Sequence, residues 1–183
     1  MKKMLLSIFA VLFLFIFVGC AKKMSARDEV IEYLDLYKNN NTEVMKQLDE
    51  FVEKEYLNEE QKNIYVNAMK REYASMMYEI LQEKYEGEYA FITVKLTVID
   101  LYKAQTDAIE YLNNNQKEFL DENGNYDKNK FTTYKLNVMK NANETVTYEI
   151  NFKLLKDGNK WDVLQLSNDD LEKIHGIYNY NQE

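Results

Sequence analysis

The sequence predicts an α+β protein in which helices pack on a curved antiparallel sheet. Two observations support this fold class. Apolar residues recur at helical spacing early in the chain, and two later segments alternate apolar and polar residues around a turn. Helices that come first and hairpins that come later are typical of an α+β domain with an antiparallel sheet.

Three helices are predicted before the sheet. The run Ser25-Ala26-Arg27-Asp28 has the form of a capping box, and Asn58 with Gln61 can cap the third helix in the same way. The run Lys38-Asn39-Asn40-Asn41 separates the first two helices. The apolar faces of the three helices are expected to be Val30, Tyr33, Leu34 and Tyr37; Val44, Leu48, Phe51 and Val52; and Tyr65, Ala68 and Met69.

The sheet is predicted from two strand–turn–strand units. Residues 90–98 alternate strictly and follow the turn signal Glu86-Gly87. Residues 76–85 fit either the end of a long helix or a strand. We assign them to a strand, because residues 90–98 need a partner. Residues 146–154 alternate as clearly, and the turn Asp157-Gly158-Asn159 returns the chain to Trp161 and Val163.

Further helices are predicted between and after the hairpins. Asp100 can cap one that ends near residue 113, residues 131–139 suggest a short one, and Ser167 can cap the last, which Gly176 interrupts or ends. The loop 121–127 begins like an EF-hand calcium loop. Tyr126 and Thr132 stand where that motif has Gly and Glu, so an ordinary loop is expected.

The first twenty residues have the layout of an export signal. Lys2 and Lys3 precede an apolar run from residue 4 to 18, which as a helix would span about 22 Å, less than the roughly 30 Å of a bilayer core. Phe17-Val18-Gly19-Cys20 resembles the bacterial lipobox, although Phe17 stands where Leu is usual. That motif implies a diacylglyceryl group on Cys20 and cleavage before it, and Cys20 is the only cysteine of the chain.

The expected organisation is therefore a lipoprotein signal peptide at 1–19, a lipidated tether at 20–24 and a single α+β domain at 25–183. The alternative is an uncleaved amino-terminal anchor. The expected location is the outer face of the cytoplasmic membrane. The 183-residue chain has a net formal charge of −8, and cleavage would remove two of its lysines. Acidity argues against nucleic acid as a partner and against electrostatic adhesion to anionic lipid, so membrane contact is expected from the lipid alone.

A resemblance to a known family rests on the strands. Residues 86–94 resemble the turn and "Ala-x-Val-x-Val" strand of uncharacterised lipoproteins of Gram-positive bacteria, and residues 148–163 resemble their last hairpin. Those proteins have a nuclear-transport-factor-two-like (cystatin-like) fold, in which the sheet curls around helices and leaves a cavity. The resemblance implies that Tyr148, Phe152, Trp161 and Asp100 are candidate pocket residues, although Trp161 is also expected in the core.

The sequence offers little for catalysis. His175, the only histidine, excludes His-pair metal sites and is expected to be a helix cap or surface residue rather than a base. No cofactor or metal site is expected. The leading hypothesis is a non-catalytic module that binds a small apolar ligand, a peptide or a partner protein. A structural subunit of an envelope complex and a small dehydratase or isomerase with an Asp/Tyr pocket are the alternatives. In the enzyme, Asp100 or Asp162 would be the base.

Overall fold

The computed structural model describes residues 24–182. The predicted signal peptide and Cys20 lie outside the described residues. Within them, the helices are α1 (Ala26–Lys38), α2 (Thr42–Val52), α3 (Glu59–Ser75), α4 (Leu101–Asn114), α5 (Lys128–Asn141) and α6 (Asn168–Ile174). The strands are β1 (Met77–Glu86), β2 (Tyr89–Ile99), β3 (Thr145–Asp157) and β4 (Lys160–Val163). Short 3-10 helices occupy Gln116–Phe119 and Tyr180–Gln182.

Side-chain caps set where the helices begin. The capping boxes predicted at Ser25 and Asn58 both form. In each, the side chain of the cap residue accepts the backbone N–H of the residue three positions later, whose own side chain accepts the backbone N–H of the cap residue. Asp100 caps α4 and Ser167 caps α6, as the sequence predicts. Helix α5 is longer than the predicted short helix, because Asp127 accepts two backbone N–H groups and starts it at residue 128.

The four strands form one antiparallel sheet in the order β1-β2-β3-β4. Strands β2 and β3 pair without interruption from Tyr89 opposite Leu155 to Ile99 opposite Thr145. The assignment of residues 76–85 to a strand is confirmed by β1, whose register against β2 shifts once, between Ile80 and Gln82. This β-bulge breaks the regularity of an edge strand.

In the part of the chain that the structure describes, helices cover one face of the sheet. Helices α1, α3 and α6 contact β2 on that face. Val146 and Tyr148 of β3 point there and are half-buried. The other residues of β2 and β3 that point there are buried, and they are Ala90, Ile92, Val94, Leu96, Val98, Ile150, Phe152 and Leu154. On the other face, hydroxyl and amide groups pair across the strands, as between Thr93 and Asn151 at 2.7 Å. The alternation seen in the sequence therefore separates core from solvent.

The two ends of the sheet differ. The turn end comprises the β1–β2 turn at residues 86–89 and the β3–β4 turn at residues 157–160, and the far end is where β1 and β3 begin and β2 ends. Helix α1 runs between them. Its first turn reaches Glu83 near the turn end through Arg27 (Nη1 to Oε1, 3.3 Å), and its last third accepts a 2.6 Å bond from Tyr78 at the far end through Asp35. The chain therefore enters the domain at the turn end.

Among the described residues, none of the helices combines the length and the apolar character that crossing a membrane requires.

Candidate binding groove

A groove of about 560 Å³ lies between α4 and α5 at the far end of the sheet. Its volume falls within the range of small-molecule sites, roughly 300–1,000 Å³. Helix α4 contributes Lys103, Ala104 and Asp107 behind its cap Asp100; α5 contributes Tyr134, Asn137, Val138 and Asn141; and the loop before β3 contributes Ala142, Asn143 and Glu144.

The groove is built where strands give way to helices. Asp100 directly follows β2, Glu144 directly precedes β3, and the backbone N–H of Asp100 donates to the carbonyl oxygen of Glu144 at 2.9 Å. Arg71 of α3 donates to the carbonyl oxygen of Ala142 and to Oδ1 of Asn143. The pairing of β2 with β3 and this arginine therefore hold the loop that closes the groove.

Asp100 is only 6% exposed, and both of its carboxylate oxygens are engaged. Oδ1 accepts the backbone N–H of Lys103 at 2.7 Å, which caps α4, and Oδ2 accepts the hydroxyl of Tyr180 at 2.9 Å. Burial and the bond to Asp100 raise the pKa of Tyr180 to about 12. Asp100 thus joins the start of α4 to the carboxyl-terminal segment.

The polar rim of the groove is mainly acidic. Lys103 Nζ lies 2.6 Å from Asp107 Oδ2 and 3.4 Å from Glu144 Oε1. Its hydrogen bond to Asp107 is the main cause that raises the pKa of Lys103. Asp107 and Glu144 are exposed, whereas Ala104 is buried and Val138 and Ala142 are half-buried. An apolar floor beneath exposed carboxylates suits a ligand with an apolar body and a positively charged nitrogen.

The four predicted pocket residues do not form one site. Tyr148 lies on β3 toward the far end, opposite Leu96 of β2. Burial and, next, the charge of Asp100 raise the pKa of Tyr148. Phe152 is fully buried in the core, with its ring edge against Tyr33. Trp161 lies at the turn end, where its ring meets that of Tyr85 at 5.7 Å. Of the four, Asp100 lines the groove, whereas Tyr148, Phe152 and Trp161 lie outside its lining.

A second polar cluster is buried in the core beside the groove end of α3. The hydroxyl oxygen of Tyr73 lies 2.8 Å from Nδ1 of His175. The ring of Tyr37 makes edge-to-face contacts with the rings of both residues. His175 ends α6, as predicted, but it is buried rather than on the surface, and burial lowers its pKa to about 4. The imidazole is therefore neutral in the folded protein at neutral pH.

Glu72 is the residue that sequence reasoning missed. It is fully buried, neither carboxylate oxygen has a hydrogen-bond partner among the described residues, and burial raises its pKa well above the usual value. The signal was available in the spacing, since Glu72 follows Ala68 by four and Met69 by three residues on the apolar face of α3. Burial without a hydrogen-bond partner therefore favours the protonated, neutral form of this carboxyl group.

Asp162 is exposed on β4, as expected for a strand residue that faces solvent. In the loop that resembles an EF-hand, Asp121 Oδ1 accepts the backbone N–H groups of Asn123 and Asn125. These backbone bonds lower the pKa of Asp121. The carboxylate therefore shapes its own loop.

Fold and groove together define an α+β protein with helices on one face of a four-stranded antiparallel sheet and an acidic groove at one end. The chain matches no protein-family model, and comparisons with curated proteins and with solved structures find no significant match.

Proposed function

We propose that the protein is a non-catalytic binding module, anchored outside the cytoplasmic membrane by a lipid on Cys20, that holds a ligand in the α4–α5 groove. The relative position of the two ends is the observation that supports it most. The chain enters the domain at the turn end, and the groove lies at the far end, about 33 Å away along β2 at roughly 3.3 Å per residue. A tether at Cys20 would leave the groove open to the medium.

The ligand proposed is one with an apolar body and a positively charged nitrogen, such as an alkylammonium group or a basic side chain of a peptide. Asp107 and Glu144 supply two negative charges at the rim, of which Lys103 offsets one, so the rim stays negative. The methyl groups of Ala104 and Val138 supply the apolar surface. Ammonium groups bind carboxylates through charge-assisted hydrogen bonds, which are stronger than neutral ones. An anionic ligand of the same shape would be repelled.

The resemblance to lipoproteins with a nuclear-transport-factor-two-like fold belongs to this proposal. A dehydratase or isomerase remains the alternative, since Asp100 is a buried carboxylate within hydrogen-bond reach of a tyrosine. The engagement of both Asp100 oxygens, by the backbone of Lys103 and by Tyr180, favours a structural role for that residue over proton transfer. Binding without catalysis is therefore the better-supported function.

Two probes of equal length and opposite charge test the groove. Hexylammonium and hexanoate would be titrated into ¹⁵N-labelled protein while the backbone amide resonances of α4 and α5 are followed. Hexylammonium is expected to shift them in a saturable way and hexanoate is not. The double variant Asp107→Asn with Glu144→Gln should lose the response. Equal shifts from both probes, or shifts that survive in the variant, would contradict the proposed ligand chemistry.

The anchor is tested separately. Cells that express the full chain would be labelled with a fatty-acid probe, and the wild type should take up the label while Cys20→Ala should not. Labelling of the variant, or recovery of a wild-type protein with an intact Met1, would refute lipid attachment at Cys20.

A further inference from the structure

Exposed aromatic and lysine side chains occur together at the turn end. Tyr85 and Tyr89 are 50% and 39% exposed, although they lie at the ends of paired strands. Trp161, the only tryptophan of the chain, packs its half-buried ring against Tyr85. Tyrosine and tryptophan combine an apolar ring with a polar atom, which suits them to a boundary between water and an apolar phase.

Lysines surround these rings. Lys153 Nζ lies 4.3 Å from the ring centroid of Tyr89, and Lys156 Nζ lies 5.9 Å from that of Trp161. Lys84 and Lys160 are exposed at the same end, where Lys84 also forms an ion pair with Glu86 at 2.5 Å. Long lysine side chains can lay their methylene groups along apolar surface while the ammonium group reaches out to phosphate.

The tether brings this end close to any membrane that Cys20 enters. Cys20 precedes the cap Ser25 by five residues, and a chain of that length spans at most about 18 Å when fully extended. The first turn of α1 is bound to the turn end by the ion pair of Arg27 with Glu83. The charges of Lys160 and Asp162 on β4 also act on Glu29 of α1. The turn end is therefore the part of the domain nearest to the lipid.

Charge is distributed unevenly between the two ends. The basic residues of the turn end and tether are Lys22, Lys23, Arg27, Lys84, Lys153, Lys156 and Lys160, and the acidic ones are Asp28, Glu29, Glu83, Glu86, Glu88, Asp157 and Asp162. Lys22 and Lys23 lie outside the described residues. Without them this end has five basic and seven acidic residues, a net charge of −2, so most of the negative charge of the chain lies elsewhere. An anionic surface would therefore repel the rest of the domain more strongly than this end.

We propose that the turn end docks on the surface of an anionic phospholipid bilayer. In this arrangement Tyr85, Tyr89 and Trp161 lie at the level of the headgroups, and the lysines around them face lipid phosphates. The inference rests on the proposed lipid anchor and goes beyond the expectation that the lipid alone makes membrane contact. Docking would fix the orientation of the domain and hold the groove away from the membrane.

Trp161 provides a direct test, because it is a natural fluorophore within the proposed contact. The lipidated protein would be reconstituted into vesicles of phosphatidylcholine and phosphatidylglycerol, with and without a nitroxide label on the lipid headgroup. Trp161 is expected to lose most of its fluorescence when the labelled lipid is present. A matched variant, Trp161→Phe with Tyr102→Trp, moves the fluorophore to the far end. Its fluorescence is expected to be unquenched by the labelled lipid. Equal quenching at both positions, or at neither, would overturn the proposal.

The lysines are tested in the same vesicles. Each lysine near an anionic surface contributes about fivefold to binding, so Lys153→Gln with Lys156→Gln should weaken docking and restore Trp161 fluorescence. Lys38→Gln with Lys140→Gln, which removes the same charge at the far end, should leave quenching unchanged. An equal effect of the two pairs would refute a local role for the turn end.

The two proposals fail in different ways. If Cys20 carries no lipid, the protein does not stay with the vesicles at all. If the anchor holds but the turn end does not dock, the protein stays with the vesicles while Trp161 remains unquenched. Either result refutes docking as proposed, and only the first also refutes the anchor.

Discussion

The hydroxyl of Tyr73 lies 2.8 Å from Nδ1 of His175, and this contact joins α3 to the end of α6 in the interior of the protein. Both residues are buried, and Tyr37 of α1 packs against both rings. Three helices from distant parts of the chain therefore meet at one histidine, so its protonation is coupled to folding.

Acid should weaken the fold through His175. Its pKa falls from 6.5 to about 4 on folding, so between these values the unfolded chain binds a proton that the folded protein does not. Stability is complete above pH 6.5 and declines toward pH 4, by about 3 kcal/mol from this residue. Urea unfolding at pH 7 and 4.5 measures the decline. In His175→Gln the decline between these two pH values should be smaller by about 2 kcal/mol, and an unchanged pH dependence would contradict the prediction.

Ionisation of Glu72 should make the fold less stable as pH rises, whereas protonation of His175 weakens it as pH falls. The pKa of Glu72 is raised by burial, so above pH 4.5 the unfolded chain releases a proton that the folded protein retains, and stability falls as pH rises. In Glu72→Gln this loss disappears, so the variant should gain stability relative to wild type between pH 5 and pH 8. Urea unfolding at both values gives the difference. Glu110→Gln, which removes an exposed carboxylate of α4, is the control and should show no such gain.

Gly176→Ala should lower the free energy of unfolding far more than the same substitution at a glycine with a similar backbone φ angle. Gly176 has φ +66°, and an added Cβ would lie 2.2 Å from the carbonyl oxygen of Ile99, a backbone atom that cannot swing away. Gly158 has φ +59° and nothing within 4 Å of the same position. Gly158→Ala should cost about 1 kcal/mol from backbone strain alone. Gly176→Ala should cost several times more in thermal or urea unfolding, and equal losses would contradict the packing around Ile99.

Asp100 should stabilise the fold by more than its capping of α4 alone. Asp100→Ala removes the cap of α4, which typically costs about 1 kcal/mol, and also the bond from Tyr180. Asp100→Asn keeps a capping oxygen and should retain most of the stability. Limited proteolysis should detect release of the carboxyl-terminal segment in Asp100→Ala and in Tyr180→Phe, with little release in Asp100→Asn. Protection in all three variants would show that other contacts hold this segment.

Local pattern was sufficient for most of the fold. The capping boxes at Ser25 and Asn58 depend on residues three positions apart, and the alternation of residues 90–98 depends on which face each side chain takes. Such signals act within a few residues, so they can be read without knowing the fold. Residues 76–85 were ambiguous by periodicity and could be assigned only through their expected partner.

The candidate site was less accessible to sequence reasoning. Asp100 was identified as a helix cap and pocket candidate, but its bond to Tyr180 joins residues eighty positions apart. Phe152 and Trp161 share the core-facing alternation of their hairpin. They lie in different surroundings because Phe152 is on the inner strand β3 and Trp161 is on the short edge strand β4. Glu72 was overlooked because its apolar neighbours on α3 dominate the pattern.

By itself the sequence determined the element types, their caps, the pairing of each hairpin and the face of each strand that is buried. These follow from backbone hydrogen bonding and the spacing of apolar side chains over short distances. Only the tertiary structure decided that α4 and α5 enclose a groove, that Glu72 and His175 are buried, and that the chain enters at the opposite end from the groove. Those features depend on which helix surfaces meet, because burial and distance between remote residues are properties of the packed chain.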